Sequence, residues 1–308
     1  MTDLVLDPLA GSSPLGFLAA LGALDVAQRT DPAERHTLHW TEELVPRAVL
    51  GGVDSLDHLI EQVLVDRNRW RRSALLTLPA SDLKPPDTEL HDWAGTMAER
   101  SREESNLFTG LLAEGARAGN YAAKPTHLHF TAGQQQFLTM VRTLADALDH
   151  AKVEEAVRGP WLYSWPLPTL GWDTRGERVY ALRGSDPSKE KRTGVPGADW
   201  LAFLGLTFFP AFARDGKLLT TACDPDWKSG SFVWPLWDVP LVPMAVRSLL
   251  TFGTLRDEAE GERRARGVFR VWEAPITRSE QGGYGSFRAP QLAEPTRQKK
   301  SRWAGRPR

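Results

Sequence analysis

Three groups of residues in this 308-residue chain have the types and spacing for chemistry. Arg67, Arg69, Arg71 and Arg72 surround Trp70 at the end of a segment with helical apolar periodicity. Guanidinium groups beside an indole suit phosphate contact and base stacking. Arginines at a helix end also complement its C-terminal carbonyls, but four exceed what a cap needs. Lys189, Lys191 and Arg192 lie in a polar loop, Gly184 to Gly197, with Asp186 and Glu190 diluting the charge. A basic loop between rigid flanks holds its cations in one field, so these seven cations and Trp70 are the candidate nucleic-acid contacts. An ordinary solvated loop is the competing reading of 184 to 197.

His127 and His129 form the third group. On a strand they would share one face, offering two metal ligands or an acid–base pair to a nuclease. No third ligand stands near them, so neither a metal nor any other cofactor is expected. The single cysteine, Cys223, excludes an internal disulfide and reads as a small core residue. GxSxG, P-loop, HExxH, GxGxxG and HNH-like patterns are absent.

The elements that must position these residues follow from pattern. In GSSPLGFLAALGAL, Ser12 or Ser13 caps a helix with Pro14 in its first turn. A glycine before a helix also suits a phosphate cradle, yet no lysine follows and a buried central helix is the expectation. Thr37 to Trp40 reads as a strand, with Leu44 to Leu50 its continuation or partner across Pro46. Val53 to Trp70 reads as a helix capped by Asp54 or Ser55, carrying the arginines at its end. Glu89 to Glu104 and Asn106 to Glu114 read as helices. THLHFTAGQQQFL predicts a strand, a turn and a helix whose inner face holds Phe137, Leu138, Val141 and Leu144. Arg158 to Pro210, with Trp161, Trp165 and Trp172 among prolines and glycines, predicts irregular backbone anchored by large rings, then a strand at Arg178 to Arg183 and a buried helix at Ala198 to Leu206. Lys217 to Asp224 and Ser231 to Trp237 predict a hairpin, Pro240 to Thr251 a helix, and Val268 to Trp272 a last strand.

The fold class expected is therefore α+β: helices and short antiparallel strands around a shared core, with residues 1–276 as one interleaved domain, room for a subdivision near 150–160, and a basic tail over 277–308 that is disordered or ordered by a partner. Formal net charge is −1, but Gly261 to Arg308 holds twelve Lys/Arg against four Asp/Glu, a local +8. The lone cysteine, the lack of a basic secretion leader and the interruption of the longest apolar run by Gly205 and Pro210 lead to the expectation of a cytoplasmic protein without membrane contact.

Three strings, LDPLAGSSPLGFLAALGAL, HFTAGQQQFL and LGWDTRGERVYALRGSDPSKEKRTGVPGADWLAFLGL, resemble proteins encoded in type I CRISPR-Cas loci, particularly the I-U/I-G group. The resemblance covers about two thirds of the chain and carries no universal catalytic signature. It implies a subunit of an RNA-guided, DNA-targeting effector complex, large-subunit-like or accessory, that grips guide RNA or target DNA and neighbouring Cas subunits while a separate enzyme cuts. Its shortness departs from a typical large subunit. The expectation is thus a non-catalytic nucleic-acid-binding subunit. A metal-dependent nuclease using His127 and His129, and a structural subunit touching only protein, stand as the alternatives.

Overall fold

The computed structural model describes residues 3–117, 122–131, 135–176, 193–278 and 285–295. At its centre lie two helices, α1 (Pro14–Thr30) and the helix Pro196–Gly205, which is α8 in chain order. Ser13 caps α1 by accepting from the Gly16 amide at 3.3 Å, and Pro14 opens its first turn, as its sequence dictates. Both helices are apolar on nearly every side and buried on nearly every side. They approach closely enough that a β-carbon on Gly22 would overlap the Leu201 carbonyl, and one on Gly205 the Leu18 carbonyl. The glycine-rich start of α1 is sealed: a β-carbon on Gly11 would meet the Trp40 ring at 2.7 Å. The interior, not a phosphate, is what this helix start faces.

Two antiparallel sheets flank this pair. In the first, β1 (Asp3–Ala10), β3 (Arg47–Gly51) and β2 (Thr37–Trp40) lie in the order β1-β3-β2, with Leu50 opposite both Leu4 and Leu38. In the second, β6 (Ser231–Trp237) pairs with β7 (Val268–Arg278), to which β8 (Gly285–Phe287) and β9 (Gln291–Leu292) add. A hairpin of β4 (Ala211–Arg214) and β5 (Lys217–Thr220) stands apart from them. Phe17 of α1 joins the sheets, stacking on Trp40 with centroids 5.6 Å apart and meeting Trp237 edge-on at 6.3 Å. The Trp237 indole donates to the Leu38 carbonyl at 2.6 Å and Trp234 to the Gly11 carbonyl at 2.8 Å, so both rings are buried without an orphaned N–H. Trp40, Trp172, Trp200, Trp234 and Trp237 are fully buried: much of the tryptophan content is core.

The outer helices are α2 (Leu56–Trp70), α3 (Ala74–Thr77), α4 (Asp87–Arg100), α5 (Arg102–Leu111), α6 (Phe137–Ala147), α7 (His150–Val157), α9 (Pro243–Leu250) and α10 (Glu260–Ala265). The chain is α+β, with short antiparallel strands. One buried apolar cluster draws residues from Leu6 to Phe287.

Several local expectations meet a different outcome. The helix expected to run to Glu104 breaks at Ser101, whose hydroxyl caps α5 by accepting from Glu104 N at 3.1 Å. Lys217 to Thr220 takes β4 as its partner, while Ala222 to Asp224 pairs with the start of β6 through the Cys223–Phe232 bridge. β7 runs on to Arg278, and the chain returns over 285–295 to pair with it, so the sheet extends past the expected tail boundary at 277. The irregular segment after α7 is anchored from below: Glu155 accepts from the Leu162 and Tyr163 amides at 2.7 and 3.2 Å and from the Trp165 indole. Asp199, sealed in the first turn of α8, holds the Leu170 amide at 3.0 Å, and burial pushes its carboxyl up to about 7. The expected strand at 178–183 lies outside the described residues.

Candidate nucleic-acid interface

The Arg67–Arg72 group is built by the end of α2 against α6. Leu59, Ile60, Val63 and Trp70 form the buried stripe of α2, so the helical period decides which arginines share a side. At about 100° per residue, Arg71 lies about 40° around from Arg67, and Arg69 about 200°. Arg67 reaches inward and donates to the Ala145 carbonyl at 3.0 Å; burial, then the like charge of Arg71, lowers its pKa. Arg71 pairs with Asp146 at 2.7 Å across to α6. Arg69 leaves the group and pairs with Glu103 at 3.3 Å. Arg72 is exposed, and among the described residues its guanidinium is in no ion pair.

Trp70 is 3% exposed, with the Arg29 guanidinium 5.5 Å from its ring centre. Arg29 is fixed in turn by Asp66 at 2.7 Å and by Asp25. A base has no access to this ring; of the two roles expected for Trp70, stacking on a base or supporting the patch, its burial leaves support of the α2 end from within.

Arg71 and Arg72 instead share a cavity of about 360 Å³ with Asn68, Arg142 and Asp146, over Leu76 and Ala145. Arg142 comes from α6 and was not legible in sequence. Its guanidinium caps the chain after α3, donating to the Leu76, Leu78 and Ala80 carbonyls at 2.7, 2.8 and 2.7 Å. Three of its five N–H donors are engaged, which fixes the group in place, and its charge remains. Among the described residues, three guanidiniums thus face one lining carboxylate, Asp146, which is 62% exposed. An ion pair this wet is worth only about 0.2–1 kcal/mol, so a phosphate can replace Asp146 on Arg71 at little cost.

The histidine pair does not lie on a strand. Thr126 to His129 forms a turn, closed by the His129 amide donating to the Thr126 carbonyl at 3.0 Å, because four residues of alternating pattern satisfy a turn as well as a strand. The two rings serve different partners. His127 Nδ1 lies 3.0 Å from the Thr220 hydroxyl, and His129 Nε2 lies 2.9 Å from Asp82. Burial, followed by the charges of Arg278 and Lys124, pushes His127 down to about 4. Burial likewise favours the neutral His129 imidazole, which donates to Asp82; burial raises that carboxyl, but the hydrogen bonds from His129 and the Leu83 backbone and the charge of Lys84 hold it below the usual carboxylate range. Among the described residues no group of three His, Cys, Asp or Glu side chains is placed to hold a metal.

Below this turn lies a second cationic group. Arg278, at the end of β7, donates to the His127, His129 and Trp227 carbonyls at 2.7, 3.0 and 3.1 Å. Its guanidinium carbon is 3.8 Å from the Trp227 ring centre, and the Lys124 ammonium is 4.4 Å from the same centre. Burial pushes Arg278 down to about 10; burial, then Arg278 and Lys217, lowers Lys124. Among the described residues Lys124 and Lys217 are in no ion pair. No short string encodes this group: its members are far apart in the chain, and Arg278 falls within the expected basic tail. Lys189, Lys191 and Arg192 lie outside the described residues. Among the described residues no helix is long and apolar enough to cross a membrane.

Comparisons with protein-family models, with curated proteins and with solved structures find no match to this chain.

Proposed function

We propose that this chain is a non-catalytic nucleic-acid-binding protein that holds phosphates at the cavity between α2 and α6. The observation that supports it most is the convergence of Arg71, Arg72 and Arg142 on one recess with a single, solvated carboxylate. Arg72 supplies free donors, Arg71 exchanges Asp146 for phosphate, and Arg142 adds a fixed charge from a rigid mount. With no aromatic ring lining the cavity among the described residues, contact is to the backbone, and sequence selection belongs to base pairing within the bound duplex. The resemblance to type I CRISPR-Cas subunits makes an RNA-guided effector complex in the cytoplasm, with guide RNA or target DNA and other Cas subunits as partners, the proposed setting.

The test is fluorescence anisotropy of labelled RNA and DNA against the whole protein across a salt series. Arg72→Glu is expected to weaken binding about tenfold and to lower the slope of log K against log salt by about 1, with Arg69→Glu as the control that changes little. Equal affinity and slope for Arg72→Glu and the unmodified chain removes the cavity from the interface.

A second reading, a subunit that docks only protein, draws on one observation. A cavity of about 420 Å³ between β5, β6 and the loop after α9 is largely apolar and opens beside Phe212 and Phe252, which are 52% and 39% exposed. Absence of RNA or DNA binding at low salt would favour it.

A further inference from the structure

We infer that Lys124 and Lys217, organised around Trp227 and Arg278, form a second phosphate contact on the same bound strand, so that the ligand is a polymer spanning two points and not a free nucleotide. This rests on the reading of the α2–α6 cavity as a phosphate site.

The first observation is the composition of the cluster. Arg278 is fixed by three of its five N–H donors on three carbonyls, so it acts as an anchored positive charge beneath the indole, as Arg142 does beneath the cavity. Lys124 is held over the same ring and its amide donates to the Ala116 carbonyl at 3.2 Å, while the Arg117 amide donates to the Gly216 carbonyl at 3.3 Å, which sets Lys217 beside Lys124; no carboxylate is paired to either ammonium among the described residues. Like charges gathered without a counter-ion raise the local potential and attract an anion. Asp226, the nearby acid, has its carboxylate turned back onto the Lys228 and Ser229 amides at 2.8 and 3.2 Å.

The second observation is the connection between the two sites. Arg142 binds the chain as far as Ala80; two residues on, Asp82 accepts from the Phe137 amide at 3.2 Å and from His129 at 2.9 Å, and Lys84 pairs with it at 3.2 Å. The carbonyl of that same His129 is held by Arg278. A part-buried path of hydrogen bonds and the backbone from Ala80 to Asp82 therefore runs from one cation group to the other, with the half-exposed Lys84 between them. This path keeps the two groups within roughly 30 Å, on the order of nine phosphate steps of one duplex strand at ~3.4 Å each. Rigid mounting matters because two contacts on a fixed frame bind one strand with a gain in effective concentration that mobile lysines would not give.

The experiment compares labelled 4-nucleotide and 20-nucleotide strands, and a 20-base-pair duplex, against the whole protein, Lys124→Gln/Lys217→Gln and Arg72→Glu, with thermal melts confirming that each variant is folded. The double glutamine variant is expected to lose affinity for the 20-mers, with the duplex salt slope reduced by about 1.8, so that the fall in affinity between 50 and 200 mM salt shrinks about twelvefold; the 4-mer, able to occupy one point only, should change by less than threefold. Unchanged 20-mer affinity and slope in that variant, with Arg72→Glu still defective, overturns the second contact alone. Loss of 4-mer and 20-mer binding to the same degree also overturns it, since one site would then account for both. If Arg72→Glu is silent as well, the cavity reading fails with it.

Discussion

Arg67, Arg69, Arg71 and Arg72 are neighbours in sequence and part company in space, whereas Lys124, Trp227 and Arg278 are separated by at least fifty positions and meet around one ring. The first group is divided by the helical period, which sends Arg69 to Glu103, Trp70 into the core and Arg71 to the α6 side. The second is assembled by the sheet: β7 carries Arg278 to the underside of the histidine turn, and the loop before β6 lays Trp227 against it. Adjacent charges on a helix are therefore a poor measure of a shared field, and the strong local field here depends on long-range pairing that no short string encodes. The two groups also differ in what holds them. Arg71 and Arg72 hang from a helix end in solvent, while Arg278 satisfies three carbonyls and is part of the fold's own hydrogen-bond inventory.

That contrast is broken or sharpened first by stability. Arg278→Ala strands the His127, His129 and Trp227 carbonyls and removes a charge stacked on an indole, so a loss of about 3–5 kcal/mol is expected in urea unfolding, against less than about 0.5 kcal/mol for Arg72→Ala. Equal, small losses for both would show that the second group is as peripheral as the first. Next comes acid. His127 sits at about 4 in the fold against an ordinary 6.5, so the unfolded chain takes up its proton first as pH falls. The stability this group supplies is complete above 6.5 and is lost as pH drops toward 4, by roughly 3 kcal/mol. Unfolding midpoints from pH 7 to pH 4 should fall in the unmodified protein and fall less in His127→Gln; a parallel fall in both would place the acid-sensitive group elsewhere. Arg71→Gln, at the arginine cavity, should leave the profile's shape unchanged. The smallest effect belongs to Arg69→Ala, whose wet pair with Glu103 should contribute no more than about 0.5 kcal/mol in a double-mutant cycle.

Much of the fold was readable because apolar periodicity and capping residues agree. Ser13 with Pro14, and Ser55 before Leu56, begin α1 and α2 where the pattern begins. α7, HAKVEEAV, escaped notice because eight residues with three charges show too little periodicity, and its burial comes from packing against α2 and α8. β4 escaped because AFAR is too short to show a pattern and is identified only by its pairing with β5. Of the candidate contacts, the helix bearing the arginines was legible, but the side each would take depended on where α6 lies. Arg142 could not be found from sequence, since its role is set by three carbonyls more than sixty residues earlier.

The interlock of α1 and α8 has a mechanical consequence. With Gly22 pressed to the Leu201 carbonyl and Gly205 to the Leu18 carbonyl, neither helix can slip a turn along the other without driving a side chain into a backbone oxygen. The pair behaves as one axle. Any shape change that accompanies ligand capture must therefore come from the shell around it, through movement of α2, α6 or the hairpin, while the axle keeps its pitch.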